Sequence, residues 1–365
     1  MVKIALIIDT WFPYVGGGQI NALEISKRIA KGNFAVDIIT RNLGRDNLKL
    51  SKNLKVYKLG SLAKPFDLIS KATFILRSFI FIYRRDYDLV HAHAFLPGIT
   101  ARLLMVFKGI PAVFTVHGTS LKTNLLNPIA KYIEKIILTE IRYSGEITVS
   151  RDFLELKNVN KQVDFIPNGV DVKKFDNIPV RKNPNPTLLY VGRLHRQKNL
   201  LVLLEALSLI RDDFPNMKTF IVGQGSLKAQ LQQRAKELGL HRFIVFIRAT
   251  SQKDLIRYYK QSWFFILPSI YEGQPLTLLE AWASKLPVIV SKVGDCQYLV
   301  KDNFNGYLIE NHHNAVEIAS IIKKALQSKT ARIMGKRGYH FVKKELQWDK
   351  SKDKTLRVYK KLIYG

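Results

Sequence analysis

The chain has 365 residues, and its 47% hydrophobic and 24% charged content is typical of a globular protein with room for two domains. A single cysteine, Cys296, excludes internal disulfides and four-cysteine metal clusters and favours a reducing cytosol. The N-terminal apolar run is too short for a signal peptide, and the densest apolar run, residues 72–83, is broken by Arg77 and Ser78. We therefore expect a cytoplasmic protein with no membrane-spanning segment.

The net charge of +29 is concentrated in two segments, residues 41–85 and 321–361. A basic field of this size attracts an anionic lipid surface or a polyanion, although a generally lysine-rich surface is the simpler alternative. Nucleic acid is disfavoured, because the two segments lie far apart in the chain and no nucleic-acid-reading module is present. Residues 66–83 combine apolar side chains with Lys71 and Arg77, which predicts either a helix at an anionic membrane interface or a helix that only covers a sheet.

Short apolar runs alternate with longer amphipathic segments through the first half, which predicts a parallel sheet covered by helices. The predicted strands of this half are 3–8, 35–40, 55–59, 88–91, 112–117, 146–149 and 163–166. The predicted helices are 19–31, 66–84, 98–107 and 128–142.

A polar, proline-containing stretch, residues 181–186, is typical of a hinge, and the same alternation resumes after it. The predicted strands of the second half are 187–191, 218–222, 243–246, 263–267 and 287–290, and residues 348–364 have helical spacing. We therefore predict an α/β protein with two doubly wound domains, 1–175 and 176–345, and a C-terminal helix, 346–365, that packs back on the first domain. Ligands of such sheets lie beyond the carboxyl ends of the strands, here in a cleft between the domains.

Three glycines, Gly16, Gly17 and Gly18, follow the first predicted strand and lead into the first helix. Such glycines let the backbone approach a ligand and present N–H groups at a helix start. The pattern is neither a dinucleotide fingerprint nor a P-loop, so a flexible loop is the alternative.

In the second half, Arg193 and Lys198 follow a predicted strand and precede a helix. A planar guanidinium and a compact ammonium together suit a diphosphate, although isolated residues of these types are more often solvated. The turn at residues 223–225 is also rich in glycine. It is a weaker phosphate candidate, because Lys228 stands where a dinucleotide fingerprint needs glycine.

The most informative segment is residues 271–281, in which Glu272 and Glu280 bracket a Gly-x-Pro turn. Pro275 is expected in the first helical turn, which leaves the free N–H groups and positive dipole end of the helix for an anion. Glu280 would then lie about 7 Å along the helix axis, comparable to the step from a diphosphate to an attached ribose. The alternative is a surface helix with two solvated glutamates.

The histidines do not predict a metal site. His91 and His93 share one strand end but have no third ligand at metal spacing, which favours a packed wall of the cleft. Asp86 and Asp88 precede their strand, on the wrong side of the sheet for a ligand. His117 ends the apolar run 112–116, which places it at the mouth of the predicted cleft.

Together, in their order and spacing, these segments resemble glycosyltransferase family 4, retaining enzymes of the GT-B fold that use nucleotide-diphosphate sugars. The resemblance runs nearly from end to end. It is carried by Gly16-Gly17-Gly18, Asp88-Leu89-Val90-His91-Ala92-His93, Val116-His117-Gly118, Ile166-Pro167-Asn168-Gly169-Val170-Asp171, Gly192-Arg193-Leu194 with Lys198, and the segment from Glu272 to Glu280.

The resemblance implies that the second domain holds most of the donor. By it, Glu280 binds the ribose hydroxyls, and Arg193 with Lys198 binds the diphosphate. Glu272 and the backbone of the next four residues meet the sugar and the distal phosphate, His117 hydrogen-bonds to the donor sugar, and the three glycines close over the phosphates or the acceptor. The four residues after Glu272 are Gly273, Gln274, Pro275 and Leu276.

Some positions depart from the family pattern. Gln274 stands where an apolar or aromatic residue is common, Asn199 where glycine is frequent, and Arg248 where a small residue is expected. Residues 294–298 lack the usual proline and glutamate, which leaves the nucleotide base open.

We expect a retaining glycosyltransferase that moves a sugar from a nucleotide-diphosphate sugar to a saccharide or lipid-linked acceptor. Its expected catalytic residues are His117, Glu272, Arg193 and Lys198, with no cofactor and no metal, and residues 41–85 are expected to hold it peripherally on an anionic membrane. Alternatives with the same fold are a sugar-nucleotide epimerase, a phosphorylase and a catalytically inert subunit. A nucleic-acid-binding protein is a distant alternative.

Overall fold

The computed structural model describes residues 1–46, 48–119, 121, 128–160, 162–248 and 251–365. One position of the basic segment 41–85, Asn47, therefore lies outside the described residues. The described chain forms two compact units. The first unit comprises Met1–Asn168 and Trp348–Gly365, and the second unit comprises Gly169–Gln347.

The first unit is built on a 7-stranded parallel sheet. Its strands are β1 (Val2–Ile8), β2 (Phe34–Arg41), β3 (Leu54–Leu59), β4 (Leu89–His93), β5 (Ala112–Val116), β6 (Gly145–Thr148) and β7 (Val163–Phe165). Their order across the sheet is β3-β2-β1-β4-β5-β6-β7. β4 and β5 are buried along their whole length, as expected of a parallel sheet that helices cover on both faces.

The second unit is built on a 6-stranded parallel sheet. Its strands are β8 (Thr187–Val191), β9 (Lys218–Val222), β10 (Ile244–Ile247), β11 (Phe264–Leu267), β12 (Val288–Ser291) and β13 (Gly306–Ile309), in the order β10-β9-β8-β11-β12-β13. β13 was not predicted. It has only four residues, and it begins at Gly306, where a Cβ atom would lie 2.6 Å from Val288 Cγ2.

Helices cover both sheets. They are α1 (Gly17–Ile29), α2 (Leu68–Tyr83), α3 (Phe95–Lys108), α4 (Pro128–Lys135), α5 (Val172–Asp176), α6 (Leu200–Ile210), α7 (Lys228–Glu237), α8 (Gln252–Gln261), α9 (Leu276–Ala283), α10 (Cys296–Leu299), α11 (Ala315–Leu326), α12 (Ala331–Glu345) and α13 (Trp348–Tyr364). The predicted helix 128–142 is α4 continued by a π-helical turn, Ile136–Glu140.

The C-terminal helix α13 packs on the first unit, as predicted. Asp349 pairs with Arg28 of α1 (Oδ1 to Nε, 3.3 Å), and Ser351 Oγ donates to Pro167 O (2.7 Å). Further along α13, the buried Tyr359 hydroxyl lies 2.5 Å from His91 Nδ1 on β4. The last helix thus completes the core of the unit in which the chain begins.

The division between the units falls after Asn168, rather than at the predicted hinge, residues 181–186. Two hydrogen bonds fix the chain beyond this point to the second unit. Val170 N donates to Leu346 O (2.8 Å), and Tyr339 Oη donates to Asp176 Oδ2 (2.8 Å). The proline-containing stretch is therefore a loop ahead of β8 inside the second unit.

Each sheet has a point where the strand order reverses. β1 lies between β2 and β4, and β8 lies between β9 and β11. Loops that leave the carboxyl ends of strands on either side of such a point diverge and open a crevice for a ligand. Gly16 to Gly18 follow β1, Arg193 follows β8, and Glu272 follows β11, so the principal predicted residues lie at these two points.

Candidate functional site

Glu272 lies in the loop between β11 and α9, and its carboxylate is paired. Its Oε1 accepts from Lys198 Nζ (2.5 Å) and from Ser269 Oγ (2.6 Å). The side chains of Lys198 and Glu272 are only 13% and 7% exposed. The alternative of a solvated glutamate is therefore wrong at this position. The sequence placed both residues near the diphosphate but did not predict that they touch, and it missed Ser269.

The loop after Glu272 ends at the start of α9. Pro275 has φ −73° and ψ 120°, so it stands just before the helix rather than in the first turn, where it was predicted. The helix begins at Leu276 and runs for eight residues. The first turn of an α-helix carries N–H groups without intrahelical acceptors, and the macrodipole adds positive charge there. This end of α9 can therefore receive an anion next to the Lys198–Glu272 pair.

Glu280 lies one turn into α9 and is half-buried. Its Oε2 accepts a hydrogen bond from the hydroxyl of Tyr259, a buried residue of α8 (2.8 Å). Burial raises the pKa of Glu280 to about 7, although the Tyr259 hydrogen bond and the charge of Lys174 oppose the rise. Such a carboxylate is a strong acceptor for hydroxyl groups once it is ionised. Tyr259 was not singled out in the sequence.

Arg193 lies in the turn after β8, and its backbone is held while its side chain is exposed. Tyr190 Oη donates to Arg193 O (2.8 Å), and the next amide, that of Leu194, donates to Gln224 O (2.8 Å). At Gly225 a Cβ atom would lie 2.2 Å from Leu194 O. The glycines of the 223–225 turn are thus explained by backbone packing against the Arg193 turn.

Lys198 is held by the residues on either side of it. The backbone carbonyl of the buried Gln197 accepts from Ile270 N, and its side-chain Nε2 donates to Tyr271 O, both at 2.9 Å. These two hydrogen bonds tie the Lys198 turn to the Glu272 loop. Asn199 has φ 56° and ψ 34°, a left-handed conformation that glycine and asparagine tolerate best. This conformation explains why asparagine can stand where the family often has glycine.

Gln274 and Asp295, two further departures from the family pattern, contact each other. The buried Gln274 Nε2 donates to Asp295 Oδ2 (2.7 Å), and Asp295 N donates to Gly273 O (2.9 Å). The neighbouring Gly294 has φ 52°, and a Cβ atom there would lie 1.9 Å from Glu272 O. A polar contact therefore joins the loops after β11 and β12 and fixes the backbone on which Glu272 stands.

The predicted residues of the first unit also meet one another. Gly16 is the residue before α1, in an extended conformation, and α1 begins at Gly17. A Cβ atom on Gly18 would lie 3.3 Å from Cδ2 of His117, whereas one on Gly17 would meet nothing within 4 Å. The first unit therefore brings the start of α1 next to the imidazole that follows β5.

A hydrogen-bonded histidine pair lies behind this contact. His93 Nδ1 and His117 Nε2 are 2.8 Å apart with their rings stacked, and the buried His93 Nε2 has no hydrogen-bond partner among the described residues. Burial lowers the pKa of His117 to about 4 and that of His91 to about 3. These imidazoles are therefore neutral near pH 7. In the described ranges, no group of three or more His, Cys, Asp or Glu side chains could hold a metal ion.

Two family models match the chain. Glycosyltransferase Family 4 matches residues 15–174, and Glycosyl transferases group 1 matches residues 171–341. The chain is 27% identical, over 96% of both chains, to the UDP-Gal:alpha-D-GlcNAc-diphosphoundecaprenol alpha-1,3-galactosyltransferase of Escherichia coli. It is 24% identical to the alpha-monoglucosyldiacylglycerol synthase of Streptococcus pneumoniae, over 100% of this chain and 92% of that protein.

A solved glycosyltransferase structure also resembles the fold of this chain. The solved structure of sucrose-phosphate synthase from Thermosynechococcus elongatus matches with a TM-score of 0.86 and 23% identity, over 99% of both chains. The two parallel α/β units thus define a glycosyltransferase of the GT-B fold that uses a nucleotide sugar. Within that class, the chain belongs to the family-4 type of glycosyltransferases. None of its helices, in the part of the chain that the structure describes, is long and apolar enough to cross a membrane.

Proposed function

We propose that the enzyme transfers a sugar, with retention of anomeric configuration and without a metal ion, from a nucleotide-diphosphate sugar to a lipid-linked saccharide or lipid acceptor. The main support for the donor site is the Lys198–Glu272 contact, which is 2.5 Å long. This contact lies where the strand order of the second sheet reverses, beside the start of α9. Anion-binding groups at such a point suit a diphosphate.

The second unit supplies the positive charge that the reaction needs. Transfer breaks the bond between the anomeric carbon and the diphosphate oxygen, so negative charge grows on the leaving diphosphate. Arg193, Lys198 and the first-turn amides of α9 stabilise that charge, which makes a metal ion unnecessary. The new bond forms between the anomeric carbon and an acceptor hydroxyl, whose proton passes to the leaving phosphate.

The Lys198–Glu272 pair holds the ammonium in place before the donor arrives. Ser269 and Lys198 occupy one oxygen of the carboxylate, Oε1. We assign the remaining oxygen to a hydroxyl of the donor sugar, while Lys198 is shared between Glu272 and a phosphate oxygen. Preorganised groups of this kind spend no free energy on reorientation during the reaction.

Glu280 binds the ribose end of the donor in this proposal. Glu280, with Tyr259 on Oε2, accepts hydrogen bonds from the ribose hydroxyls through Oε1. For His117, in the first unit, the family resemblance implies a hydrogen bond to a sugar, and because the imidazole is neutral it would contribute no charge. Gly16 to Gly18 leave space at the start of α1 for phosphate or acceptor.

The names of the relatives support a lipid-borne acceptor. The Escherichia coli relative is named for a diphosphoundecaprenol-linked acceptor, and the Streptococcus pneumoniae relative is named as a synthase of a glucosyldiacylglycerol. Both names also specify α-linked products. We extend to this chain the acceptor class and the retained configuration, but neither the particular sugar nor the base.

A panel of UDP-, GDP- and ADP-sugars in a thermal unfolding assay, in buffer with EDTA, identifies the donor. Incubation of that donor with polyprenyl-diphosphate saccharides and diacylglycerol then identifies the acceptor, and NMR gives the anomeric configuration of the product. We expect metal-independent stabilisation by one base, and release of nucleoside diphosphate only with acceptor. Conversion of the donor without any acceptor would support an epimerase, and an inverted product would contradict the proposed retention.

A further inference from the structure

α2 carries an apolar stripe on its solvent side as well as on its buried side. Its buried residues are Phe74, Ser78 and Ile82. The outward side presents Ile69, Leu76, Ile80 and Tyr83, whose spacing of seven, four and three residues places them on one face. These four residues are between 39% and 78% exposed. A helix that only covered a sheet would present polar residues there.

The end of α3 extends this stripe into a broader face. The ring of Phe79 lies 5.4 Å from that of Tyr83 and 6.2 Å from that of Phe107, and Phe107 is itself 65% exposed. The buried Ser78 and Thr100 hydroxyls, 3.1 Å apart, join the two helices below the surface. We call this apolar area, formed by residues 69, 76, 80, 83 and 107, the α2–α3 face. Contiguous exposed apolar areas on soluble proteins mark interaction sites.

Cations lie around the α2–α3 face. The Arg85 guanidinium lies 3.6 Å from the ring centroid of Phe81, and Lys108 Nζ lies 5.8 Å from that of Tyr83 and donates to Tyr83 O (2.8 Å). At the other end, Lys71 Nζ lies 5.8 Å from the ring of Phe66. Between residues 62 and 108 the basic side chains are Lys64, Lys71, Arg77, Arg84, Arg85, Arg102 and Lys108, and the acidic ones are Asp67, Asp86 and Asp88.

The start of α2 is anchored from inside. The guanidinium of Arg41, which is 1% exposed, donates to Pro65 O (2.8 Å) and lies 3.6 Å from Asp9 Oδ2. This contact ties the chain ahead of α2 to the ends of β1 and β2. The α2–α3 face is therefore presented by helices fixed to the sheet rather than by a loose segment.

We propose that the α2–α3 face docks on an anionic lipid surface, with α2 lying in the plane of the membrane. The 16 residues of α2 extend about 24 Å, and their apolar stripe enters the headgroup boundary while the surrounding cations meet acidic headgroups. A second copy of the chain would bring like charges together, which disfavours self-association through this face. The proposed function, transfer to a lipid-borne acceptor, gives this docking its biological role. The docking itself can be tested separately, because membrane binding is measured without donor or acceptor.

Flotation of the full chain with vesicles tests the proposal. The vesicles contain phosphatidylcholine alone or phosphatidylcholine mixed with phosphatidylglycerol. We expect binding to the anionic vesicles only, weakened about tenfold or more by Leu76→Ser/Ile80→Ser. Arg84→Gln/Arg85→Gln should weaken it about 25-fold, at about fivefold per charge removed.

The matched controls remove the same chemistry from the second unit. Val316→Ser/Ile333→Ser changes two exposed apolar residues, and Lys329→Gln/Arg332→Gln removes two exposed charges. Both variants should bind as the unaltered protein does. The proposal would be overturned if Leu76→Ser/Ile80→Ser bound vesicles as well as the unaltered protein does. It would also be overturned if the test and control variants lost vesicle binding equally.

Two further measurements separate this proposal from others. Sedimentation without lipid should show a monomer, and a dimer abolished by Leu76→Ser/Ile80→Ser would assign the face to a second copy instead. Ile80→Trp should shift the fluorescence of the protein to shorter wavelength when anionic vesicles are added, and an unchanged spectrum would contradict insertion.

Vesicle binding without any sugar transfer would contradict the proposed activity alone. Transfer in detergent by a protein that binds no vesicles would contradict the docking alone.

Discussion

Lys198→Met separates the structural role of the Lys198–Glu272 pair from its proposed role in donor binding. The substitution removes the cation and leaves the Glu272 carboxylate, 7% exposed, with the Ser269 hydroxyl as its hydrogen-bond donor. Breaking a buried ion pair by removing one partner costs about 3–5 kcal/mol. Because Ser269 remains and Lys198 is already 13% exposed, we expect the free energy of unfolding to fall by about 2–3 kcal/mol.

The double variant Lys198→Met/Glu272→Gln removes both charges and should recover most of that stability, since no uncompensated carboxylate remains. Donor affinity should not recover. Loss of one charge-assisted hydrogen bond to phosphate costs about 1.5–3 kcal/mol, or roughly a 10- to 150-fold weaker dissociation constant. Urea unfolding measures the first quantity and calorimetric titration of a nucleotide sugar the second. If affinity returns together with stability in the double variant, Lys198 does not bind the diphosphate.

Three other predictions follow from single residues. Because burial raises the pKa of Glu280 to about 7, affinity for a nucleotide sugar should increase from pH 6 to pH 8. Glu280→Gln should flatten this pH dependence of the affinity. An equal slope of affinity against pH in both proteins would exclude Glu280 as the titrating group. Glu146 is 0% exposed and accepts a hydrogen bond from Asn158 Nδ2 (2.7 Å), and burial raises its pKa to about 7. Folding therefore favours its neutral form, and stability is lost as the pH rises from about 4.5 to about 7. Glu146→Gln should therefore raise the free energy of unfolding by about 1–3 kcal/mol at pH 8 and change it little at pH 4, whereas an equal effect at both values would contradict the assignment. Asn199 has φ 56°, and its side chain donates a hydrogen bond to His312 O. Asn199→Ala should lower the free energy of unfolding by about 1–2 kcal/mol, and by more than Asn199→Gly does. The reverse order in urea unfolding would contradict a requirement for left-handed backbone.

The sequence predicted two strands of the second sheet with their observed bounds. β8 is buried along its whole length, whereas β9 begins at the exposed Lys218. In both, a nearby proline before the strand and a glycine directly after it limit the strand. β13 was not predicted, because it begins with a glycine, which in a sequence favours a turn; contact with Val288 explains the glycine at this position. The unit boundary escaped as well, since the hydrogen bond from Val170 to Leu346 joins residues that are distant in the chain.

The pairing of residues at the candidate site could not be predicted from the sequence. Residue types and their positions after strands predicted Arg193 and Lys198 as diphosphate ligands, the family resemblance implied Glu272 as a sugar ligand, and these roles stay predictions. That Lys198 and Glu272 touch depends on β8 and β11 being neighbours in the sheet, which residues 74 positions apart do not reveal. In the same way, the apolar composition of α2 could not show which of its apolar residues face solvent, because burial depends on what packs around the helix.

Calorimetric titration of the nucleotide sugar into the protein, with EDTA present, tests whether Arg193 and Lys198 bind the diphosphate without a metal ion. The titration compares the unaltered protein with Arg193→Ala/Lys198→Ala, and Arg234→Ala serves as a control in the same unit. We expect the unaltered protein and the control to bind without metal, and the double variant to have a dissociation constant at least about 100-fold higher. Unchanged affinity in the double variant, or binding that appears only when a divalent metal is added, would contradict the proposed metal-independent diphosphate site.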